Sequence, residues 1–221
     1  MWISEADRHS YLEDGFLCLR GAFPAAVAQA MIPLVWKAVA AQPPAPDARI
    51  ILLAEVIREA PAPSVYTPRY RGTLDELCGP GRWQLDLGGV GHWHILLPGF
   101  AQPPGRGWHV DTEGDAVESF LAVEYFTDVG PGQGGTAIRP GSHRHRESTA
   151  HSPIQELTGS AGDVFFLHPL LWHAVNSNPG TVPRLAAVKK IHVERGSLTT
   201  LFESALIGRE VALPVERTPA P

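Results

Sequence analysis

This sequence has few cysteines, no long apolar run and no excess of basic residues. Only Cys18 and Cys78 occur, both in apolar surroundings, which argues against a disulfide framework and indicates buried thiols in a reducing compartment. No stretch approaches the roughly 18 apolar residues that span a bilayer, and the first seven residues contain two acids and no apolar run. We therefore expect a cytoplasmic protein with no membrane partner.

The charge is slightly negative, and the basic residues are scattered. Lysine and arginine number 18 against 23 acidic residues, which gives a formal net charge of −5. No face is obviously built to neutralise phosphates, so we expect no nucleic-acid partner. Hydrophobic residues make up 44% and charged residues 19% of the chain, a composition typical of a globular protein. The sequence leaves the oligomeric state open.

Turn-forming residues are abundant. The 22 glycines and 21 prolines make up about a fifth of the 221 residues, well above average usage. Beyond residue 82, short apolar runs alternate with turns and predict eight strands: Trp83–Leu87, His92–Leu97, Trp108–Asp111, Ser119–Phe126, Thr136–Arg139, Val164–His168, Trp172–Val175 and Leu185–Val193. Eight strands without a long helix predict a mainly β fold of the jelly-roll or cupin-like type.

Helices are predicted only near the N-terminus, where they would pack on the jelly roll. The patterns favour helices at Glu5–Asp14 and Ala25–Ala41, a strand at Phe16–Leu19, and either helix or strand at 49–60. Pro61–Gly72 and Pro98–Gly107 are interpreted as long loops. We expect one domain, 1–221, with a helical and loop annex at 1–81, a jelly-roll core at 82–195 and a tail at 196–221.

A possible metal site begins with two residues of one predicted strand. His109 and Asp111 stand two positions apart, so on a strand both side chains point to the same face. Such a pair can hold one ion, although the pattern alone is common. A third ligand must come from elsewhere, and His173 is the candidate because its strand is followed by a turn at 176–180.

Arg184 follows the same turn. A hairpin folded there would set His173 and Arg184 nearly opposite each other on adjacent strands. A guanidinium beside a metal could hold one end of a small dicarboxylate that chelates the ion with its other end. Two histidines and one carboxylate on one face of a metal leave coordination sites open and favour Fe(II) over a closed zinc site.

An ordered series of motifs resembles the phytanoyl-CoA dioxygenase family of Fe(II)- and 2-oxoglutarate-dependent oxygenases. The resemblance covers most of residues 11 to 193 and rests on His109-x-Asp111, Gln133-Gly134-Gly135-Thr136, Arg139-Pro140-Gly141-Ser142-His143, Gly162-Asp163, His173 and Arg184. The opening Tyr11 to Phe16, followed by Arg20 to Pro24, is also similar to the beginning of that family.

The resemblance implies a double-stranded β-helix with an iron and cosubstrate site. It implies that His109, Asp111 and His173 bind Fe(II), and that Arg184 anchors the far carboxylate of 2-oxoglutarate. With O2, such an enzyme converts 2-oxoglutarate to succinate and CO2 and by default hydroxylates a small organic molecule, for which a natural-product pathway is the expectation. Retention of Asp111 argues against a related halogenase, in which a small residue stands at that position.

Other histidines allow rival interpretations. His92 and His94 form a His-x-His pattern, but Pro98 stands where a typical cupin would have its glutamate; His94 is instead expected to help bind the metal-proximal carboxylate of 2-oxoglutarate. His168 is expected to be structural, and His143 to Arg146 to form a solvated loop. Two alternative functions stay open: a cupin-like metalloenzyme that does not use 2-oxoglutarate, and a non-enzymatic jelly roll that binds a metal or ligand.

Overall fold

The computed structural model describes residues 1–42, 49–53, 65–85, 92–111, 119–144 and 153–193. Its centre is a large antiparallel sheet, whose strands are β1 Phe16–Leu19, β2 Ile50–Leu53, β3 Trp83–Leu85, β4 His92–Leu96, β5 Ser119–Tyr125, β8 Val164–Leu167 and β10 Arg184–Val193. Hydrogen-bonded neighbours in this sheet follow the order β1–β8–β5–β10–β4–β2, and β3 also pairs with β10.

A smaller sheet faces the inner side of the large one. It contains β6 Ala137–Ile138 between β7 Gln155–Glu156 and β9 His173–Ala174, and an isolated bridge joins His109 to His173. These strands are shorter than predicted, and β7 was missed because two residues carry no periodic pattern. The mainly β jelly-roll prediction is confirmed by this architecture.

Side-chain alternation divides the large sheet into two faces. On β5, Leu121, Val123 and Tyr125 pack into an inner apolar cluster, whereas Phe120 and Ala122 pack into an outer cluster beneath the helices. The period of two along a strand produces this division. Even-numbered residues of β10 therefore face the barrel interior, and odd-numbered residues face the helices.

The first helix and strand lie where the sequence predicts them, because local signals fix both ends of the helix. Helix α1, Glu5–Asp14, starts with a capping box in which Ser4 and Asp7 accept each other's backbone N–H. It ends at Gly15, whose φ of 84° is accessible to glycine at little cost. Helix α2, Ala25–Ala40, also agrees with the prediction.

The predicted loop at Pro61–Gly72 is wrong from residue 68 onward. Helix α3, Pro68–Cys78, begins there, with the Thr67 hydroxyl accepting a hydrogen bond from the Tyr70 backbone N–H. The prolines of this segment suggested a loop, but Pro68 occupies the first helical turn, where its missing N–H costs nothing. The ambiguous segment at 49–60 forms strand β2 in its described part, and residues 54–60 lie outside the described ranges.

No described helix is both long and apolar enough to cross a membrane. Cys18 and Cys78 are free thiols, and burial raises the pKa of the Cys18 thiol to about 12. A thiol with this pKa stays protonated at neutral pH and is a poor nucleophile.

A buried ion pair fixes helix α3 against the large sheet. The Lys189 ammonium lies 2.8 Å from a Glu124 carboxylate oxygen and donates to the Tyr66 hydroxyl at 2.8 Å, while the Tyr70 hydroxyl donates to the other Glu124 oxygen at 3.0 Å. The Glu124 side chain is fully buried. The free-energy cost of removing these two charges from water is offset by their mutual attraction and by the hydrogen bonds of the two tyrosines.

Replacing Glu124 with leucine is expected to lower the free energy of unfolding by about 3–5 kcal/mol, because it leaves the Lys189 ammonium buried without a countercharge. Urea denaturation of the wild type and the variant measures this difference. The double variant E124L/K189M removes both charges and should recover most of the loss. A single variant within 1 kcal/mol of the wild type would contradict the interpretation.

Candidate metal and cosubstrate site

The structure brings His109, Asp111 and His173 together. Residues 109 and 173 exchange two backbone hydrogen bonds of 3.1 Å, and the Asp111 backbone N–H donates to the Pro169 carbonyl at 2.9 Å. These contacts hold the 109–111 segment extended along the small sheet, so its two side chains share one face. One potential ligand atom from each of the three residues lies within 4.8 Å of the others.

Backbone carbonyls orient both imidazoles. The Nδ1 atom of His109 lies 2.8 Å from the Gly107 carbonyl, and the Nδ1 atom of His173 lies 2.9 Å from the Leu171 carbonyl. Since a carbonyl only accepts, each Nδ1 must carry the proton, which leaves each Nε2 with a free lone pair. This arrangement is typical of histidines that bind metals through Nε2.

The buried carboxylate of the cluster has an unsatisfied oxygen. Asp111 Oδ2 is buried, accepts no hydrogen bond and lies 3.7 Å from His173 Nε2. Burial raises the pKa of Asp111, against the opposing effect of His173, and burial lowers the pKa of His173. An oxygen left without a partner, beside two nitrogen lone pairs, fits a divalent cation. This mixed nitrogen and oxygen donor set suits Fe(II).

Arg184 is a buried cation on the inner face of β10. Its side chain is only 2% exposed, and its guanidinium donates to the Thr136 hydroxyl at 3.0 Å and to the His94 carbonyl at 3.2 Å. The Nε–H group is buried and makes no hydrogen bond. Within the described ranges, no carboxylate lies within ion-pair distance of this guanidinium, and the Glu156 carboxylate acts on it only at longer range. A buried cation without a direct ion-pair partner is costly, which indicates a binding place for an anion.

The predicted hairpin between His173 and Arg184 is wrong. Strand β9 pairs with β6 in the small sheet, whereas β10 pairs with β3, β4 and β5 in the large one. The chain crosses between sheets after residue 174, so His173 and Arg184 belong to facing sheets and not to adjacent strands. The two residues are nevertheless linked across the interior, because the Arg184 guanidinium donates to Thr136, which directly precedes β6, and β6 pairs with His173 of β9.

His94 lies on the inner face of β4, directly across from Ala186 of β10. Burial, together with the nearby positive charge of Arg184, lowers the pKa of His94 to about 4. His94 is therefore neutral at neutral pH. A neutral imidazole here can donate one hydrogen bond without adding charge to the site.

Sequence reasoning missed the residues that hold Arg184 in place. The Tyr125 ring lies under the guanidinium at 5.4 Å, and its hydroxyl accepts from the Thr136 backbone N–H at 3.1 Å. Thr136 follows Gly135, where an added Cβ would lie 2.2 Å from the Leu157 carbonyl. The Gly134-Gly135-Thr136 motif was the feature of the sequence that could have revealed these contacts, because a glycine often stands where another backbone segment passes too close for a side chain.

The rival histidines lie in other settings. His92 is exposed, whereas His168 is buried, with its Nδ1 accepting from the Leu170 backbone N–H at 3.1 Å. His143 is also buried, with its Nε2 3.0 Å from the Leu12 carbonyl, so the predicted solvated loop is wrong at this residue. Arg144 forms an ion pair with Glu13, and residues 145 and 146 lie outside the described part of the chain.

Comparisons with known proteins find one matching family model and several structures of similar fold. Residues 84–186 match the family model described as Phytanoyl-CoA dioxygenase (PhyH). No curated protein matches the chain.

Several solved structures share the fold at low sequence identity. HygX from Streptomyces hygroscopicus, with nickel and 2-oxoglutarate bound, is 14% identical, with a TM-score of 0.64 over 86% of this chain and 87% of HygX. SnoK, a non-heme alpha ketoglutarate dependent carbocyclase from nogalamycin biosynthesis, is 18% identical, with a TM-score of 0.64 over 87% of this chain and 84% of SnoK. AviO1 from Streptomyces viridochromogenes Tue57 is 16% identical, with a TM-score of 0.67 over 90% of this chain and 98% of AviO1.

Proposed function

Since residues 84–186 belong to the phytanoyl-CoA dioxygenase family of Fe(II)- and 2-oxoglutarate-dependent oxygenases, we propose that this oxidoreductase hydroxylates a small organic molecule at the site described above. In this proposal His109, Asp111 and His173 hold the iron, and Arg184 and His94 bind 2-oxoglutarate. The observation that carries it is a buried guanidinium with no direct ion-pair partner among the described residues, linked through Thr136 to the small sheet that holds three convergent candidate ligands.

Arg184 has the chemistry to bind the far carboxylate of the cosubstrate. Its planar fork matches a carboxylate in a two-bond geometry, and the Thr136 hydroxyl and Tyr125 ring hold the fork in one orientation. The incoming carboxylate would supply the direct ion-pair partner that this buried cation lacks. Binding free energy thus comes from satisfying a charge that the fold has already removed from water.

His94 is placed to meet the other end of the cosubstrate. It lies two strand positions from Leu96, the residue opposite Arg184, and its backbone carbonyl accepts a hydrogen bond from the Arg184 guanidinium. Because His94 is neutral, its ring N–H can donate a hydrogen bond to the metal-proximal carboxylate. Its role is that of a positioning contact for the 2-oxoacid.

When bound together, iron, 2-oxoglutarate and O2 supply the oxidising power: one oxygen atom enters succinate, the other enters the hydroxyl group of the product, and CO2 is released. The residues of this chain supply orientation. The barrel is lined by the apolar side chains of the inner cluster, among them Leu121, Val123, Phe165 and Leu167. An apolar lining excludes water and so favours reaction at a bound substrate over reaction with water.

A natural-product substrate is the best-supported class. SnoK and SnoN come from nogalamycin biosynthesis, and HygX has been crystallised with hygromycin B bound. These proteins share the fold of this chain, which supports a similar place for it in the tailoring of a small organic scaffold.

The deciding experiment measures succinate formation and O2 consumption with Fe(II), ascorbate and 2-oxoglutarate, alone and with a panel of small-molecule scaffolds. Succinate formed in step with a hydroxylated product supports the proposal. Oxygen consumption that is independent of 2-oxoglutarate would favour a cupin-like metalloenzyme. Metal binding with neither oxygen consumption nor succinate would favour a binding protein and would contradict the proposal.

A further inference from the structure

The inner face of strand β10 carries a cation near each end. Arg184 stands at the first residue and contacts Thr136, and Ala186 and Val188 pack in or against the inner apolar cluster. Alternation therefore directs Lys190 to the same inner face. Its neighbour Lys189 points the other way, toward the helices.

Lys190 continues the inner face of β10 beyond the candidate cosubstrate residues. Arg184 and Ala186 stand opposite Leu96 and His94 of β4, and the same face runs on through Val188 to Lys190. Six residues of extended strand separate the two cations, a span of about 20 Å. Lys190 is therefore left over once Arg184 has been assigned to the cosubstrate.

The surroundings of Lys190 differ from those of Arg184. Lys190 is exposed, and among the described residues no carboxylate lies within ion-pair distance of its ammonium. The register sets it opposite Leu121 of β5, while His92 of β4 stands opposite Val188. We call these four residues, His92, Leu121, Val188 and Lys190, the cationic rim. The rim combines apolar surface with an unpaired positive charge that reaches solvent.

We propose that the cationic rim binds a carboxylate of the organic substrate through Lys190, so that the enzyme acts on an organic acid. This inference rests on the proposed function, because it assigns Arg184 to the cosubstrate and leaves Lys190 for the substrate. Leu121 and Val188 would contact the apolar part of the substrate beside its carboxylate. A single ammonium with one positive charge matches the single charge of a carboxylate.

The chain contains three lysines, Lys37, Lys189 and Lys190, which makes the test direct. Reductive methylation with 13C-formaldehyde keeps the lysine charge and gives each modified ammonium its own NMR signal. The protein is loaded with Zn(II) and 2-oxoglutarate and titrated with benzoate, cyclohexanecarboxylate and 3-phenylpropionate, and in parallel with their neutral amides. Loss of a signal in K190M assigns Lys190, and exposed Lys37 on helix α2 provides the matched control.

We expect at least one carboxylate to shift the Lys190 signal and not that of Lys37, and to bind about fivefold more tightly than its amide, as for a partly exposed ion pair. K190M should abolish this preference while retaining wild-type affinity for zinc and 2-oxoglutarate, and K37M should leave it unchanged. The inference is overturned if no carboxylate shifts the Lys190 signal, or if the preference survives in K190M.

Failure of the inference and failure of the proposed function give different results. A wild-type protein that binds zinc and 2-oxoglutarate but shows no preference for the acids overturns only the role of Lys190. A wild-type protein that binds no 2-oxoglutarate contradicts the proposed function, and the inference falls with it.

Discussion

Replacing His109 with alanine is expected to give a folded protein that retains no iron and forms no succinate. His109 Nε2 is one of three convergent donors, and the two that remain, Asp111 and His173, cannot hold an open ferrous site at micromolar metal. Loss of a residue that hydrogen-bonds to a metal ligand lowers metal affinity about 10–100-fold. Loss of the ligand itself should therefore lower it more than about 100-fold.

Metal content after desalting, measured by inductively coupled plasma mass spectrometry, checks the expectation for H109A. His9 is the matched control because it is an exposed histidine on helix α1. H9A should retain the wild-type metal content. An unchanged metal content in H109A would remove His109 from the ligand set, and equal losses in H9A and H109A would indicate a general effect of histidine removal.

The ligand cluster was predictable because part of its geometry is local. His109 and Asp111 share a face through strand periodicity, which any extended segment enforces. The isolated bridge between His109 and His173 is not local, since 64 positions separate the two residues. His173 entered the prediction through the turn that follows its strand, and the resemblance to a known family implied the same residue, but the hairpin argument placed β9 and β10 in the wrong relation.

The hairpin error has a topological cause. A tight turn between two strands favours pairing of those strands, but in a jelly roll some connections cross from one sheet to the other. Asn178 stabilises the connection between the two sheets here, because its side-chain amide donates to the carbonyls of Leu96 and Val182, both at 3.0 Å. A side chain that reaches a strand 82 residues earlier cannot be foreseen from the turn sequence.

Helix α3 and the support of Arg184 were missed for related reasons. The start of α3 depends on a capping residue, Thr67, and on a proline at the first turn, and both residue types also occur in loops. Thr136 reaches Arg184 across 48 positions. Short-range patterns identify strands and turns, but contacts of this sequence separation are fixed only when the two sheets close on each other.

Replacing Arg184 is expected to weaken cosubstrate binding without lowering the stability of the fold. R184M is expected to weaken 2-oxoglutarate binding by at least about 30-fold, the lower end of the range for loss of one partner of a buried charge pair. Isothermal titration of the Zn(II)-loaded protein with 2-oxoglutarate measures the change. R184K keeps the charge but loses the two-bond fork, and its affinity should fall between those of the wild type and R184M.

The same variant has an opposite effect on the protein without cosubstrate. Methionine fills similar volume and removes a buried charge that has no direct ion-pair partner among the described residues, so R184M should be at least as stable as the wild type toward urea. The same concentration of 2-oxoglutarate should raise the melting temperature of the wild type more than that of R184M. A structural arginine would behave in the reverse manner, since R184M would then be less stable and would bind 2-oxoglutarate normally. The paired measurement therefore decides whether this guanidinium serves the fold or the cosubstrate.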